Sequence, residues 1–577
     1  MSHITFLGAA GTVTGSKHLL EWEGTPRHRI LLDCGLFQGL KELRVKNWEP
    51  LPVAPEVIDA VIISHAHIDH LGYLPRLVRD GFDGPIYGAA ATCDMAEIML
   101  RDSAHLQEED TRLARKFGFS KHKDPQPLYT LEDAERVFPL LRPLPYYKPY
   151  PILNDATVTL RHSGHVLGAA FVEIVIIEHY HSTKIVYTGD IGRYNQPLLL
   201  DPDPPTSADY LIMECTYGDR LHQPSDPKRE LSEVINRTVE RGGSVVIPAF
   251  ALGRSQQILQ YIAELIDEGK IPKLDVFLDS PMAVAATRQT RAHLEELDVS
   301  TLARIRLNAL FNRSEYHYLT TREQSQKLNN RDNPCIIVSA SGMAVAGRVL
   351  HHLARRLPAE KNTVIFVGYQ VEGSRGRRLI EGEKEIKIHG NMIPVKAEIV
   401  NLSAMSGHAD YSEIMSWLEK MKPPTHTFLV HGEISGLQAT AERLQNKLGW
   451  KVTIPALGET IELAPVAKPV PVAEAIPSAV PSLAPAITPL LPTLPPGAVA
   501  VVLGSLDWDS VLTKLPGTVV FREEPSEELA NRLLRSNLFH EVIILSPSHT
   551  KNGVISAFRE ILKKGGIQTW TLVSSVK

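Results

Sequence analysis

The sequence predicts an α/β protein of several domains, and three observations carry that expectation. Short β-branched runs such as Ala60-Val61-Ile62-Ile63 alternate with stretches of helical spacing, as in parallel sheets flanked by helices. Histidines and aspartates gather at the ends of those runs, most densely in S-H-A-H-I-D-H from Ser64 to His70. A proline-rich stretch from Ala464 to Gly497 sets the last part of the chain apart as a tethered domain.

In chain order, strands are expected at His3 to Leu7, His18 to Trp22 and Arg29 to Leu32, the first followed by a glycine-rich turn without a P-loop pattern. The third ends on Asp33, placed to hold the second nitrogen of a ligand histidine. The run from Ala60 to Ile63 leads into the histidine cluster, and Leu71, Leu74, Leu77 and Val78 follow at helical spacing. The cluster therefore sits in a strand-to-helix turn. Alternation puts His65 and His67 on one side, while Asp69 and His70 reach back from the helix start, so one segment could serve two metals. Imidazole and carboxylate donors suit zinc.

A helix is expected from Asp94 to about Lys121, ending in the cationic segment Thr111 to Lys123. The strand at Val158 to Leu160 leads to His165, flanked by Gly164 and Gly168, and Lys184 to Tyr187 leads to Asp190, a carboxylate able to bridge two metals. Beyond it, strands at Ser244 to Pro248, Val276 to Leu278, Cys335 to Ser339 and Thr363 to Val367, with a helix at Ser255 to Glu268, read as an inserted parallel α/β domain. Ala397 to Leu402 and Thr427 to Val430 are expected to return to the first domain. In the cleft between the two belong Ser341 and Gly342, whose backbone amides can receive a phosphate, together with Arg348 and the segment Gly373 to Arg378. In the final domain, strands at Val499 to Leu503, Thr518 to Phe521, Val542 to Leu545 and Thr569 to Val573 alternate with helices at Pro525 to Leu534 and Gly553 to Lys564.

Composition bounds the function. A chain of 577 residues with 43% hydrophobic and 22% charged content is ordinary soluble protein. Four cysteines, Cys34, Cys93, Cys215 and Cys335, lie far apart, which argues against a disulfide framework or a thiolate zinc knuckle and favours the cytoplasm. The N-terminal stretch M-S-H-I-T-F-L-G lacks a basic region followed by an apolar signal core, and the uncharged run from Ala475 to Leu506 is too broken by proline to span a bilayer as a helix, so an unexported protein without membrane association is expected. A net charge of -5 excludes a uniformly basic nucleic-acid coat but allows a local basic groove.

The ordered set Asp33, H-A-H-I-D-H, His165 in S-G-H-V-L-G-A and Asp190 in Y-T-G-D resembles the four motifs of the metallo-β-lactamase fold, which implies an αββα sandwich with metals at one sheet edge. Y-L-I-M-E-C-T-Y-G-D-R (Tyr210 to Arg220), S-A-S-G-M-A-V-A-G-R (Ser339 to Arg348), M-S-G-H-A-D-Y (Met405 to Tyr411) and F-L-V-H-G-E (Phe428 to Glu433) resemble the β-CASP ribonucleases. Among these, the similarity is to prokaryotic homologues of the nuclease subunit of the cleavage and polyadenylation factor, and it runs from about Ile4 to Leu463.

The resemblance implies a zinc-dependent ribonuclease that cuts internal phosphodiesters of single-stranded RNA with two Zn2+ ions. It assigns His65, His67 and His165 to one ion, Asp69, His70 and His431 to the other, and Asp190 to both. Asp69 would take the proton of the attacking water, His408 would protonate the leaving oxygen, and Glu214 would orient His408. A histidine at 431 is similar to RNA-cleaving members, whereas the DNA cross-link repair branch tends to carry valine. Two departures stand out: Gly407 where alanine is common, and Ala346-Gly347-Arg348 in place of a double glycine. The implied domains are 1–208 and 395–463 for the metallo-β-lactamase part, 209–394 for the β-CASP part, 464–497 for the linker and 498–577 for a small α/β domain. That last domain is expected to dock a protein partner or to assist a homodimer. The competing readings are a hydrolase of a small ester or thioester on the same fold, and an RNA-binding scaffold subunit.

Overall fold

The computed structural model describes residues 2–24, 26–118, 124–178, 181–222, 226–298, 311–402 and 405–464, together with four strands near the C-terminus. The chain forms two compact units, one of Met1–Glu296 with Asn308–Val470, the other of Leu297–Leu307 with Pro471–Lys577.

Two seven-stranded sheets form the base of the first unit. One has the order Thr460–Leu463, Ser2–Phe6, His18–Trp22, His28–Leu32, Ala60–Ile62, Ile86–Ala89, Leu141–Leu144. The other has the order Val452–Thr453, His426–Val430, Tyr210–Glu214, His181–Tyr187, Ala170–Glu178, Ala156–His162, Tyr150–Leu153. Alternation along each strand decides which side chains meet. Leu20 and Trp22 from the first sheet join Val158, Leu160, Ile212 and Phe428 from the second in one buried core. The outer face of the second sheet is covered too: Leu211, Met213 and Leu429 pack with Ile414, Trp417 and Leu418 of the Tyr411–Leu418 helix. On the first sheet, the long Ala90–Phe117 helix contacts the Ile86–Ala89 and Leu141–Leu144 strands. The layers are helix, sheet, sheet, helix, the expected αββα sandwich. Strands covered on both faces need apolar residues at every position, which is why Ala60–Ile62 reads as a continuous run.

A third sheet of six strands, all parallel, has the order Tyr316–Tyr318, Val276–Leu278, Ile336–Ser339, Val245–Pro248, Thr363–Phe366, Glu398–Asn401. It is inserted between two neighbours in space, since Tyr210–Glu214 and His426–Val430 pair in parallel from Tyr210 with His426 to Glu214 with Val430. Two expectations shift here. The Tyr210–Glu214 strand, expected to open the inserted part, belongs to the second sheet. The Ala397 to Leu402 run, expected to return to the first domain, instead forms Glu398–Asn401 at the edge of the third sheet beside Thr363–Phe366. A short apolar run carries no label for its partner, so burial against available neighbours decides its sheet. The helix expected after the histidine cluster is also split, into Ile68–Leu71 and Leu74–Arg79, with Pro75 in the first turn of the second.

In the second unit, the strands Val520–Phe521, Val499–Val502, Glu541–Pro547 and Gln568–Ser574 lie in that order, all parallel. The tether from residue 465 onward and the helices expected at Pro525 to Leu534 and Gly553 to Lys564 lie outside the described residues. Among the described residues no helix is long and apolar enough to cross a membrane.

Phe428 ties the two sheets together. It is 1% exposed, with ring centroids 5.4 Å from Phe6 and 6.3 Å from Tyr210. Phe428→Ala should therefore lower the unfolding free energy by about 3–5 kcal/mol, measured by denaturant titration.

Candidate metal centre and active site

Strands from both sheets end at one place. Asp33 follows His28–Leu32, the histidine cluster follows Ala60–Ile62, His165 follows Ala156–His162, Asp190 follows His181–Tyr187, His431 follows His426–Val430, and Glu214 closes Tyr210–Glu214. Within the cluster His67 is the N-cap of the Ile68–Leu71 helix, with extended φ and ψ of -70° and 149°. The chain turns there, so Asp69 and His70 fold back. Gly35 permits the turn, because a Cβ on it would stand 1.6 Å from the carbonyl oxygen of Asp69.

Two donor groups result. In the first, His67 Nδ1 lies 3.0 Å from His65 Nε2 and 3.3 Å from His165 Nε2, and Asp190 Oδ2 is 3.4 Å from each of those Nε2 atoms. In the second, His70 Nε2 lies 3.2 Å from His431 Nε2 and 3.3 Å from Asp190 Oδ1, and His431 Nε2 is 3.7 Å from Asp69 Oδ2. Asp190 faces each group with one oxygen.

This donor set fits a divalent metal. His70 Nδ1 lies 2.7 Å from Asp33 Oδ2 and His165 Nδ1 3.2 Å from the Gly407 carbonyl; with Nδ1 the donor in each, a ring in its neutral form turns a lone pair on Nε2 toward the other donors. Asp190 Oδ1 and His67 Nε2 are buried without a hydrogen-bond partner. Ligands held about 2.0–2.1 Å from a tetrahedral zinc stand about 3.3 Å apart, close to the spacings above. Burial pushes His65 and His165 well below the ordinary histidine value and His67 down to about 4, which favours the neutral form a metal requires. His70 moves the opposite way. Burial opposes its charge, but Asp190 and Asp33 outweigh burial, and a cation between those carboxylates would answer the same demand.

Asp33 stands where the sequence puts an orienting carboxylate. It is fully buried, with Oδ1 accepting from the Ser64 amide at 2.7 Å. Its Oδ2 accepts from Ser64 Oγ at 2.7 Å and from the Tyr187 hydroxyl at 2.6 Å, besides His70. His408 and Glu214 also meet. His408 Nδ1 lies 3.1 Å from Glu214 Oε1, and Glu214 is fixed by the Ile191 and Thr216 amides at 2.6 and 3.1 Å. Burial opposes a proton on His408, yet the Glu214 and Asp190 carboxylates hold its pKa above the ordinary value. Its ring is 4.5 Å from that of His165 and stacks at 6.3 Å on Tyr217, while its carbonyl accepts from His222 Nε2 at 2.9 Å.

These side chains open on a cavity of about 490 Å³. The Ala90–Phe117 helix supplies Met99, Asp102 and Leu106 to its wall, and loops of the third sheet supply Phe250, Ser341 and Met343. Ser341 lines it as expected; Gly342 and Arg348 do not. The Gly342 carbonyl accepts from Gln370 Nε2 at 3.2 Å. Arg348 turns instead to Asp279 Oδ1 at 2.8 Å and to the Leu319 and Thr320 carbonyls. Asp279 is fully buried, and a buried carboxylate claims the nearest cation, a demand the sequence around Arg348 does not display. In the Gly373 to Arg378 segment, Arg375 bonds the Val345 carbonyl, and Arg377 and Arg378 pair with Glu381 and Glu383. Sequence patterns do not single out Phe250 or Arg254, both of which line the cavity. The sign of Arg254 is slight, an A-L-G-R run at the start of the Arg254–Asp267 helix.

Family models match three parts of the chain: a metallo-β-lactamase superfamily domain over residues 19–199, a Beta-Casp domain over 255–379, and a Zn-dependent metallo-hydrolase RNA specificity domain over 392–455. With the fold and donor groups above, the chain belongs to the β-CASP family of the metallo-β-lactamase superfamily, a group of metal-dependent hydrolases. It is 35% identical to Ribonuclease TTHA0252 of Thermus thermophilus over 460 residues, 79% of this chain and 98% of that protein. An RNase J-like protein of Methanocaldococcus jannaschii is 32% identical over 71% of this chain and 88% of its own length. The transcription termination factor FttA of the same organism is 32% identical over 75% of this chain and 67% of its own.

Since Asp33 holds the tautomer and angle of His70, Asp33→Ala should weaken metal binding about 10- to 100-fold in a chelator-competition titration.

Proposed function

We propose that this protein is a zinc-dependent ribonuclease that hydrolyses internal phosphodiester bonds of single-stranded RNA. The observation that carries the reading is the shared carboxylate: two donor groups converge on opposite oxygens of Asp190, with the His408–Glu214 pair beside them. His65, His67 and His165 would hold one zinc, Asp69, His70 and His431 the second, with Asp190 common to both. When bound, two zinc ions polarise a phosphoryl oxygen and make hydroxide available at neutral pH.

The chain's own residues supply the proton transfers. Asp69, at the mouth of the second group, takes the proton released as water adds to phosphorus. His408, with Nδ1 kept protonated by Glu214, gives a proton from Nε2 to the departing ribose oxygen. Holding the ring by its far nitrogen fixes both tautomer and direction, so the donor is oriented before substrate arrives. The cavity volume suits one or two nucleotides of an unpaired strand, and its wall carries apolar and aromatic groups on which bases can lie, among them Phe37, Trp48 and Phe250. All four cysteines are free, in keeping with a cytoplasmic enzyme. The final α/β domain is assigned to docking a protein partner or a second copy, since the proposed nuclease residues all precede it.

Two measurements test the reading. Elemental analysis of zinc-replete protein should give two ions per chain, and one or none would remove the dinuclear centre. His408→Ala should keep both ions while turnover on a short internally labelled RNA falls by roughly 10² to 10⁴, the range of general acid catalysis. Loss of zinc in that variant would make His408 a ligand and overturn its role as acid.

A further inference from the structure

Arg254 has no assigned task in the chemistry above, yet it lines the same cavity as His67, His165, Asp190 and His408. It is the first residue of the Arg254–Asp267 helix, just after Gly253, and its guanidinium is held from two sides. Nη1 donates to Gln257 Oε1, and Gln257 is itself anchored through Nε2 to Gln196 Oε1 at 2.8 Å. Nη2 lies over Gly407, where a Cβ would stand 2.2 Å away. Gly407 separates Ser406 from His408, and its carbonyl accepts from His165 Nδ1. The guanidinium tip is thus threaded into the turn that carries His408.

Two other arginines of the inserted and first domains have acidic partners: Arg348 pairs with Asp279 at 2.8 Å and Arg193 with Glu413 at 3.2 Å. Arg254, half-buried, has no acidic partner among the described residues, its one side-chain bond being that to Gln257. A half-buried guanidinium without an anion partner is unfavourable, and more so beside donor groups fitted to hold cations. As a purely structural element Arg254 would weaken the site it borders. An anion placed between it and the metals reverses the balance.

We propose that Arg254 is a phosphate-binding residue, donating to a non-bridging oxygen of the RNA phosphate under attack. The proposal rests on the ribonuclease reading for its substrate, but the anion site itself can be measured without turnover. A planar fork matches a phosphate's two oxygens, while lysine offers only a point charge.

The test uses zinc-loaded full-length protein. Arg254→Ala should lower kcat/KM on a short single-stranded RNA about 10²- to 10³-fold, as loss of a preorganised oxyanion donor does, with Arg254→Lys between it and wild type. Zinc content should be unchanged or higher in Arg254→Ala, whereas lost zinc would show a structural role and overturn the proposal. By calorimetry, inorganic phosphate should bind Arg254→Ala about 10- to 100-fold more weakly than wild type. Equal phosphate binding would overturn the proposal even if RNA is cleaved. Wild-type protein that binds phosphate through Arg254 but leaves RNA intact would sink the ribonuclease reading instead.

Discussion

The buried carboxylate of Asp33 is the point from which the site is suspended. Its two oxygens collect the Ser64 amide and hydroxyl, His70 Nδ1 and the Tyr187 hydroxyl. Those partners come from the first sheet's tip, the histidine turn and the second sheet, so one charged group with four donors joins the two halves of the sandwich where the ligands converge. Asp33 has a left-handed backbone, φ +55°, which aims the side chain back under the turn. The neighbouring turn is braced by Lys17, whose Nζ donates to the Gly35 carbonyl at 2.6 Å and lies over the Phe37 and Tyr73 rings at 4.6 and 5.1 Å. Burial lowers the pKa of that lysine to about 8. A rigid, fully bonded support beneath exposed lone pairs is what a metal site requires, since ligands that must first be ordered bind weakly.

Charge is graded across the site. The imidazoles of the first donor group are held neutral by burial, His70 and His408 are held toward the charged form by carboxylates, and Arg254 carries a fixed positive charge at the opposite wall. The proposed acid His408 differs from two of the proposed ligand histidines in the partner of its second nitrogen. A backbone carbonyl serves His165 and a hydroxyl serves His431, whereas a carboxylate serves His408. The carboxylate raises proton affinity and suits the acid. For His70 the partner is again a carboxylate, and its Nε2 faces Asp190 Oδ1 within the second donor group.

The inserted third sheet converts this metal edge into a cavity. Its parallel strands place the loop residues Phe250 and Ser341 and the helix-start residue Arg254 opposite the histidines, and the Ala90–Phe117 helix closes the remaining side. The direct pairing of Tyr210–Glu214 with His426–Val430 makes the insertion sturdy, because the chain leaves and rejoins through adjacent strands of one sheet. Glu214 and His431 sit at or just past the ends of those two strands, so the same ladder that anchors the insertion sets the distance from the acid's partner to the second donor group.

Much of this was legible in the chain. The strand preceding Asp33, the turn carrying His65 to His70 and the tips at His165 and Asp190 are local: a β-branched run ends, a glycine or helix start follows, and polar donors cluster there. Such patterns need only nearest neighbours along the sequence, and the motif order that links them points to the family. What the tertiary structure decided is every pairing between distant segments. It moved Glu398–Asn401 to the third sheet, turned Arg348 away to a buried Asp279, and brought Arg254 beside Gly407 across more than 150 positions. The physical reason is common to all three. A strand's sheet, a cation's partner and a cavity's lining are settled by competition for burial and for charge among residues remote in sequence, and composition near any one of them does not record the outcome.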